Sequence, residues 1–538
     1  MKSVSQIGLM LLVAAVSVWT LSLFPGNFNL SFEEFGDFKK EHAIQSPILD
    51  SLFQAEVIGI EFSSPWTFSF AAKKCIDQAN VEHSIRQEWG LKIYGEPEKI
   101  LSLERHTATG PIAEHKGLFL FLTFGLGILG GLMLILPAIK LDGPAGIKNH
   151  HVYHQASTGR GWIAWIVFGW LISFYVLLYF FPQLVFNWTL ICDPVKSLFG
   201  TGVASQWFVY GLLYCTVMTV MGVRMIIKYR NIPYQVIRTC SVVFFQIVFA
   251  FLLVEILPIF NLPAVDFKNA WPLDYDFLFD WNVVSLLNTE SYGKFGVYVL
   301  VWGVLLALVV VPVMVMVFGK RWYCSWVCGC GGLAETLGDP YRQHSSKSLI
   351  SWQLERIIIY SVLIFAVVMT AFVGIHSYNV VTAIDPNEAE FIFFGVSTYD
   401  IRMIYGFLIG SIFSGVIGTG FYPIFGNRVW CRFGCPLAAF MGIIQRFHSR
   451  FRITTNGSQC ISCGNCSTYC EQGIDVRWYA QRGQDIVRSS CVGCGVCSAV
   501  CPRGVLKLEN QPDVRRGDNN PIMITNEGII LHSPIDLE

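Results

Sequence analysis

The chain contains few charged side chains. Asp, Glu, Lys and Arg make up 14% of its 538 residues, against roughly 25% in a typical soluble domain, and the two signs balance to a formal net charge of zero. A neutral chain has no overall attraction for a polyanion, so the composition gives no reason to expect nucleic-acid binding. The shortage of charge also argues against a set of ordinary soluble domains.

Histidine inside the apolar runs is missing as well. None of the eleven histidines lies at the centre of such a run, so a haem held by two histidines inside a membrane is not expected. His150, His151 and His154 form a small cluster, which a hydrated loop explains more readily than a metal site. No general acid, nucleophile or phosphate-binding loop stands out, which argues against a hydrolase or a transferase.

Long apolar runs account for the missing charge. Hydrophobic residues make up 53% of the chain, and eight runs are long enough to cross a bilayer. The chain is therefore predicted to be a polytopic α-helical membrane protein in contact with lipid, and its first run is interpreted as an uncleaved anchor rather than a signal peptide. The predicted spans are roughly 7–24, 117–139, 162–185, 207–227, 240–260, 296–318, 356–375 and 404–425.

The positive charges predict the orientation of these spans. One set of alternate loops carries nine Lys and Arg residues, and the other set carries three. The positive set is 140–161, 229–238 and 319–352, and the other set is 186–204, 263–294 and 377–401. Positive loops remain in the cytoplasm, so both termini are predicted to be cytoplasmic and the protein to lie in the inner (cytoplasmic) membrane.

Eight cysteines near the C-terminus form two copies of one spacing. Each copy is Cys-x2-Cys-x2-Cys-x3-Cys, and the second continues into Pro502. A close triplet reaches three corners of one [4Fe–4S] cube, while the fourth thiolate points to the other cube. A zinc module or a disulfide framework fits this doubled triplet poorly. We predict one cluster held by Cys460, Cys463, Cys466 and Cys501, and a second held by Cys470, Cys491, Cys494 and Cys497.

This pattern resembles the bacterial two-cluster ferredoxins, which implies a small α+β domain around the clusters. It departs from them once, because Glu471 follows Cys470 where the family usually has proline. The change removes no ligand, and it is expected to alter the local turn. The predicted parts of the chain are an anchor at 1–24, an extracytoplasmic domain at 25–116, a helical membrane domain at 117–425, a cytoplasmic two-cluster domain at 426–508 and a tail at 509–538.

A second cysteine pattern is repeated after the sixth and eighth runs. It reads Arg-x-aromatic-Cys-x3-Cys from Arg321 and again from Arg428, which indicates a duplicated membrane hairpin. The two hairpins would bring four thiolates to one point, with Cys330 as a spare thiol. A third metal centre, a dithiol–disulfide switch and structural cysteines all remain open. The four residues are Cys324, Cys328, Cys431 and Cys435.

Twin Cys-x3-Cys-Pro motifs followed by a two-cluster domain resemble the membrane polyferredoxins of anaerobic respiration. These include the membrane iron–sulfur subunits of nitrate and nitrous oxide respiration. The resemblance covers about 296–508. The second copy matches fully at Cys431, Cys435 and Pro436, whereas the first has Gly329 in place of proline.

The resemblance implies electron transfer between a quinone pool or a cytoplasmic donor and a partner redox enzyme, with a quinol-linked oxidoreductase subunit as one form of it. A reductive assembly factor for a metalloenzyme is the alternative, and a scaffold subunit is a third possibility. Glu255, inside the fifth run, is a candidate acceptor of a quinol proton. Arg224 and Lys228 are expected to reach toward lipid headgroups, and residues 437–453 to form a helix on the inner leaflet. Cys75 and Cys192 form a candidate disulfide in the outer parts.

Overall fold

The computed structural model describes residues 2–140, 159–200, 202–382, 391–456, 459–510, 522–525 and 528–531. In these residues, eight helices are long and apolar enough to cross a membrane, which confirms the predicted polytopic helical fold. They are Ser3–Leu21, Lys116–Ile135, Trp162–Phe180, Gln206–Lys228, Pro233–Phe260, Tyr292–Phe318, Leu349–Thr382 and Thr398–Ile417. We call them the first to eighth spans. The histidine cluster at 150, 151 and 154 lies outside the described residues.

The chain divides into two compact units. The first consists of Met1–Lys140 and Ser173–Val220, and the second of Leu141–Ile172 and Met221–Glu538. In the first unit, the first and second spans cross at Gly8 and Gly130. A Cβ atom on Gly130 would lie 2.7 Å from the backbone nitrogen of Leu12, so the close approach of these helices requires glycine.

A small domain lies between the first two spans. Its helices are Phe32–Glu41, Pro47–Glu56, Pro65–Ile85, Glu96–Thr107 and Pro111–Glu114, beside an antiparallel sheet of Glu61–Phe62, Asn27–Asn29 and Ala108–Thr109. Ser31, Ser46 and Ser64 begin three of the helices, because each side chain accepts a backbone N–H of the first turn. Phe28, Phe53 and other apolar side chains fill the core.

The predicted disulfide in this unit is wrong. Cys75 and Cys192 are both buried free thiols. The Cys75 sulfur lies 3.8 Å from the carbonyl oxygen of Leu52, whereas Cys192 lies in the separate helix Phe186–Lys196. Each behaves as a small core residue, which is the usual role of a buried cysteine away from metals.

The second unit contains the last four spans and the cysteine-rich C-terminal domain. Strand Arg452–Thr455 pairs antiparallel with Leu506–Glu509 and so brings the two ends of this domain together. Between them lie three short helices, Asn465–Thr468, Val476–Gln481 and Val496–Ala499. Strands Ile522–Thr525 and Gly528–Leu531 form a hairpin in the tail.

Helix Pro436–His448 connects the eighth span to the C-terminal domain. The predicted interfacial helix is only partly right, because one of its faces is packed inside the protein. Leu437 and Met441 are each 1% exposed, and the Gln445 amide nitrogen donates to the carbonyl of Cys491 at 2.7 Å. Phe447 on the opposite face is 69% exposed, so this outer face alone is available to a lipid surface.

The loop between the fifth and sixth spans does not lie on the outer surface, as the sequence predicts, but enters the helical bundle. Residues 262–279 lie among the sixth, seventh and eighth spans, and helix Asp280–Leu287 follows them. The indole of Trp302 in the sixth span donates to the carbonyl of Phe267 at 3.0 Å. The side chain of Lys268 is therefore only 9% exposed and is paired with Asp266, so it is not a free outer-loop charge.

Candidate metal centres

Cys460, Cys463, Cys466 and Cys501 line one cavity. We call it the first cavity. The short helix Asn465–Thr468 holds Cys466, and Gly464 before it adopts a left-handed backbone with φ 80°, a conformation that glycine adopts at no steric cost. Cys463 is exposed, and the side chains of Arg477 and Arg503 lie at the rim. This cavity therefore faces solvent.

Cys470, Cys491, Cys494 and Cys497 line a second cavity. The apolar side chains of Ile453, Ile474 and Ile486 complete its wall. Two residues of the fifth span hold the triplet loop, because the Tyr234 hydroxyl donates to the Gly493 carbonyl at 3.0 Å and the Gln235 amide to the Cys494 carbonyl at 2.8 Å. The second cavity thus adjoins the membrane half of the protein.

The residues around both cavities fit a [4Fe–4S] cluster. Each cavity is lined by four thiols, which come from three closely spaced cysteines and one distant cysteine. Apolar residues form much of the rest of its wall. Thiolate sulfur is the ligand that iron–sulfur clusters require. The fourth cysteine of each sequence copy lies with the triplet of the other copy, in the crossed arrangement that the spacing predicts. That these thiols are the ligands remains a prediction.

The hairpin cysteines Cys324, Cys328, Cys431 and Cys435 are buried in one core cluster. We call this group the twin-cysteine site. The two hairpins have the same local geometry, because Gly319 and Gly426 end the preceding helices with positive φ. In both, the N–H of the second cysteine donates to the carbonyl five residues earlier, at 2.8 Å from Cys328 and 2.9 Å from Cys435. The structural repeat therefore begins at Gly319 and Gly426, two residues before the arginines at which the sequence pattern begins.

The two hairpins also hold each other reciprocally. Lys320, just before the first Arg, donates its ammonium to the carbonyl of Ala438 at 3.0 Å. Asn427, at the same place before the second Arg, donates its amide to the carbonyl of Ala334 at 2.7 Å. Each hairpin thus hydrogen-bonds to the helix that follows the other hairpin, and these two reciprocal hydrogen bonds bring the two cysteine pairs together.

Both second cysteines precede the first residue of a helix. Cys328 is the N-cap of Gly329–Thr336, and Cys435 is the N-cap of Pro436–His448, where its sulfur accepts the N–H of Ala438 at 3.4 Å. Helix N-termini favour negative charge, so these positions suit thiolates. A hydrogen bond from Cys330 lowers the pKa of Cys328 to about 6 against the effect of burial.

A buried ion network explains the departure from the ferredoxin pattern at Glu471. Its carboxylate accepts a hydrogen bond from the guanidinium of Arg342 at 2.7 Å and forms an ion pair with that of Arg428 at 3.0 Å. The same two arginines pair with Glu335 at 2.9 and 2.7 Å, and Arg238 of the fifth span pairs with it as well. Proline could not supply this carboxylate, so Glu471 ties the C-terminal domain to the hairpins.

Asp339 extends the network and corrects a prediction. Arg224 and Lys228 donate to its carboxylate at 2.9 and 2.7 Å, so they do not reach toward lipid headgroups as expected. Burial would raise the pKa of Asp339, but Lys228, Arg224 and Arg342 hold it well below its usual range. Sequence reasoning missed this network, because its members are scattered between residues 224 and 471.

The network carries excess positive charge beside the cysteines. Three carboxylates face five cationic side chains, which leaves a surplus of two positive charges. Arg428 connects the network to the twin-cysteine site, because its guanidinium also lies 3.6 Å from the sulfur of Cys431. Burial alone would raise the pKa of Glu335, yet the charges of Arg238, Arg342 and Arg428 lower it to about 2. A positive environment favours a negatively charged cluster.

The carboxylates of Glu335 and Glu471 and the sulfur of Cys494 also lie within 4.8 Å of one another. Three such atoms could hold a metal ion in principle. Both carboxylates, however, are already paired with arginines, so we interpret this group as part of the ion network. Glu255 lies half-buried near the end of the fifth span, and its role with quinol remains a prediction.

The fold and the cavities define a polytopic helical protein with a C-terminal ferredoxin-type iron–sulfur region. Comparison with known families agrees with this class. A family model described as a 4Fe-4S binding domain matches residues 300–348 and again 405–454, so each match contains one hairpin cysteine pair. A model described as a 4Fe-4S dicluster domain matches residues 452–502. The ferredoxin-type resemblance is therefore confirmed.

Three curated proteins are similar to this chain. YccM of Escherichia coli (strain K12), whose name assigns it provisionally to electron transport, is 26% identical over 36% of this chain and 53% of its own length. The uncharacterized protein MJ0750 of Methanocaldococcus jannaschii is 27% identical over 31% of this chain and 66% of its own length. The methylamine utilization ferredoxin-type protein MauN of Methylobacillus flagellatus is 24% identical over 31% of this chain and 54% of its own length.

The similarity is partial in every case. The chain spans less than two thirds of the length of each of these relatives. No solved structure matches the chain. The comparisons thus agree on the iron–sulfur class, and the activity of the whole protein is a matter for proposal.

Proposed function

We propose that this protein carries electrons between a quinone pool or a cytoplasmic donor and a partner redox enzyme, in respiration of the anaerobic type. One observation carries the proposal. Two four-thiol cavities belong to the same small domain, and one faces solvent while the other adjoins the fifth span. This arrangement suits a path between a soluble donor or acceptor and the membrane half of the protein.

The residues of the C-terminal domain have distinct roles in this proposal. The two crossed sets of four cysteines hold two [4Fe–4S] clusters, which supply one-electron redox chemistry when bound. Ile453, Ile474 and Ile486 form an apolar part of the wall of the second cavity. Glu471 lines the second cavity next to Cys470, and the ion pair of its carboxylate with Arg428 at 3.0 Å places a positive charge beside it. The domain is thus built to hold one site in a drier environment than the other.

We further propose that this domain lies on the cytoplasmic side of the inner membrane. The distribution of Lys and Arg among the loops supports this orientation. Free thiols and iron–sulfur clusters also survive best in a reducing compartment. Protease cleavage after residue 510 in sealed inside-out vesicles, and its absence in right-side-out vesicles, is the expected result.

The twin-cysteine site is proposed as a third metal centre. Four thiols buried around a pseudo-twofold arrangement support a soft-metal site, and the repeated match to a 4Fe-4S binding model agrees with iron. A dithiol–disulfide switch remains the alternative for the same residues. Iron and labile sulfide separate the two, because two clusters contain about eight irons and three contain about twelve.

Reductive assembly of a metalloenzyme is the second candidate function. It is favoured by the hydrogen-bonded thiols of Cys328 and Cys330, which lie next to each other in the twin-cysteine site. Such a pair could reduce or transfer a soft metal ion. An assembly factor would act slowly and in stoichiometric amounts, whereas an electron carrier would turn over many times.

Quinol oxidation by the anaerobically purified protein tests the main proposal. We expect an added quinol to reduce the protein with repeated turnover when an artificial electron acceptor is present, and cluster signals to appear in electron paramagnetic resonance spectra. Reduction by a soluble donor in place of quinol would identify the cytoplasmic route. Protein that is colourless and free of iron after anaerobic preparation would contradict the proposal.

A further inference from the structure

The two halves of the C-terminal domain contain the same turn after the fourth cysteine of each copy. The N–H of Gly473 donates to the carbonyl of Cys470, and the N–H of Gly504 donates to the carbonyl of Cys501, both at 3.2 Å. The two glycines also share a positive φ, of 65° and 62°. The residue before each glycine therefore occupies the same position in its half of the domain.

These two equivalent positions have different side chains and different surroundings. Arg503, before Gly504, lines the first cavity and is exposed. Gln472, before Gly473, lines the second cavity and is only 2% exposed. Because so little of Gln472 contacts solvent, its polar atoms need hydrogen-bond partners in the protein or in the cavity.

The side-chain amide of Gln472 has no such partner in the part of the chain that the structure describes. Neither its nitrogen nor its oxygen forms a hydrogen bond there. Native proteins rarely leave a buried amide unpaired, because the lost hydrogen bonds to water are then not offset. The other residues that line this cavity are cysteine, glycine and apolar residues, apart from Glu471, whose carboxylate pairs with Arg342 and Arg428. The unpaired amide is therefore explained best by a hydrogen-bonding group held in the cavity.

The backbone around Gln472 is fixed by the segment that precedes the seventh span. The hydroxyl of Ser345 donates to the carbonyl of the residue before Gln472 at 2.7 Å. A Cβ atom on Gly473, directly after it, would clash with the carbonyl oxygen of Ser346 and with the guanidinium of Arg432. That guanidinium itself donates to the Ser346 carbonyl at 2.8 Å. The turn is therefore tightly packed, and its packing keeps Gln472 at the wall of the cavity.

The chemistry of an amide suits the group that the cysteines are proposed to hold. Thiolate and sulfide sulfurs accept hydrogen bonds, and a side-chain amide offers two N–H donors. Hydrogen bonds to the sulfurs are one means by which a protein sets the reduction potential of an iron–sulfur cluster. A donor stabilises the reduced form more, because that form carries one more negative charge. The amide keeps both of its protons, so the one-electron reduction involves no proton transfer.

We propose that the side-chain amide of Gln472 donates a hydrogen bond to a sulfur of the cluster in the second cavity and so makes its reduction potential less negative. The equivalent residue of the first cavity, Arg503, is exposed to solvent, which screens its charge. Gln472 thus acts on one of the two sites alone. The inference rests on the proposed electron-carrying function and assigns the residue that adjusts the potential of one site relative to the other.

Potentiometric titration of the anaerobically purified full chain tests the effect on the potential. Gln472→Met keeps the length of the side chain, removes the N–H donors and leaves every cysteine in place, so it should retain the iron content of the wild type. One reduction step should shift about tenfold toward the oxidised form, which is about 59 mV more negative for one electron. The other steps should stay where they are.

Gln484→Met is the matched control, because it makes the same change at an exposed glutamine of the same domain. It should shift none of the reduction steps. A shift in Gln472→Met that is no larger than the shift in this control overturns the inference.

A spectroscopic measurement on the wild type tests the hydrogen bond itself, whether or not the variant retains its iron. The side-chain amides of glutamine are labelled with ¹⁵N, and pulsed electron–nuclear double resonance is recorded on the reduced protein. We expect a coupling to one ¹⁵N nucleus, which should be absent from Gln472→Met and present in Gln484→Met. Among the described residues, Gln472 is the only glutamine that lines either cavity, which assigns the signal.

The outcomes distinguish this inference from the proposed function. Cluster signals in the wild type without a ¹⁵N coupling overturn the role of Gln472 alone. Absence of cluster signals from the wild type contradicts the electron-carrying function instead.

Discussion

Two groups of cysteines in this protein are assembled in different ways. The eight cysteines of the C-terminal domain lie within 42 residues of one another, and the backbone between them brings them around two cavities. The four of the twin-cysteine site come from two hairpin motifs separated by two complete spans, and reciprocal hydrogen bonds from Lys320 and Asn427 bring them together. Spacing along the chain thus creates the first group, and tertiary packing creates the second.

Removing one cysteine from the second cavity should have the largest effect on metal content. Cys494→Ser removes a thiol from a dry cavity, so one cluster should be lost and iron should fall by about four atoms per chain. Iron analysis after anaerobic purification measures this loss. Cys240→Ser, a change to an exposed thiol in the fifth span, is the control and should retain all iron.

The corresponding change in the twin-cysteine site sharpens the comparison. Cys431→Ser should also remove about four irons if a third cluster is held there, but the spectra of the other two clusters should persist. Unchanged iron together with loss of one thiol in a thiol assay would instead favour the dithiol switch. The two cysteine groups would then differ in chemistry as well as in assembly.

Glu471 connects the two groups, so its removal should separate them. Glu471→Gln removes one of the buried carboxylates that pair with Arg342 and Arg428, and breaking a buried ion pair typically costs about 3–5 kcal/mol. We expect a lower unfolding temperature in detergent and faster cleavage between the hairpins and the C-terminal domain. Glu82→Gln, which removes an exposed ion pair with Arg86, should change the unfolding temperature little.

The same network predicts how stability depends on pH. The pKa of Glu335 in the folded protein, about 2, lies below its ordinary value of 4.5. Its ion pairs therefore contribute fully above about pH 5, and their contribution is lost as the pH falls from 4.5 toward 2. Thermal unfolding of the cluster-free protein should show a smaller acid-induced decrease in Glu335→Gln than in the wild type. An equal decrease would assign the acid sensitivity to other groups.

A single charge change should have the smallest effect. Arg428→Gln removes one positive charge beside Cys431 and Glu471, so the reduction potential of the cluster in the second cavity should become more negative. The potential of the cluster in the first cavity should shift less, because that cavity faces solvent, which screens the change. Potentiometric titration followed by electron paramagnetic resonance compares the two, and equal shifts would contradict this electrostatic account.

Most of the fold could be predicted from the sequence. The eight spans follow from the apolar runs, because a bilayer requires about twenty apolar residues in each helix. The crossed grouping of cysteines follows from their spacing, as the lining of the two cavities illustrates. The repeated motifs that begin at Arg321 and Arg428 predict the duplicated hairpin, although the two arginines contact different residues in the structure.

Other features depend on contacts between distant residues. Residues 262–279 contain charges and aromatics typical of an outer loop, and only their bonds to Thr370 and Tyr323 show that they enter the bundle. Arg224 and Lys228 lie at a helix end where lipid contact is the ordinary expectation, yet Asp339 binds both. Sequence patterns describe neighbours along the chain, whereas these partners are 55 to 115 residues apart.

The sequence by itself determined that this chain has eight apolar runs long enough to cross a bilayer and two sets of four cysteines spaced for iron–sulfur clusters, because both properties depend on short stretches of chain. The tertiary structure alone decided that Glu471 joins a buried ion network, that Lys320 and Asn427 join the two hairpin motifs, and that residues 262–279 reach the hairpin motif at Tyr323. These outcomes require charges, sulfurs and carbonyls from distant segments to meet in an interior where water no longer solvates them.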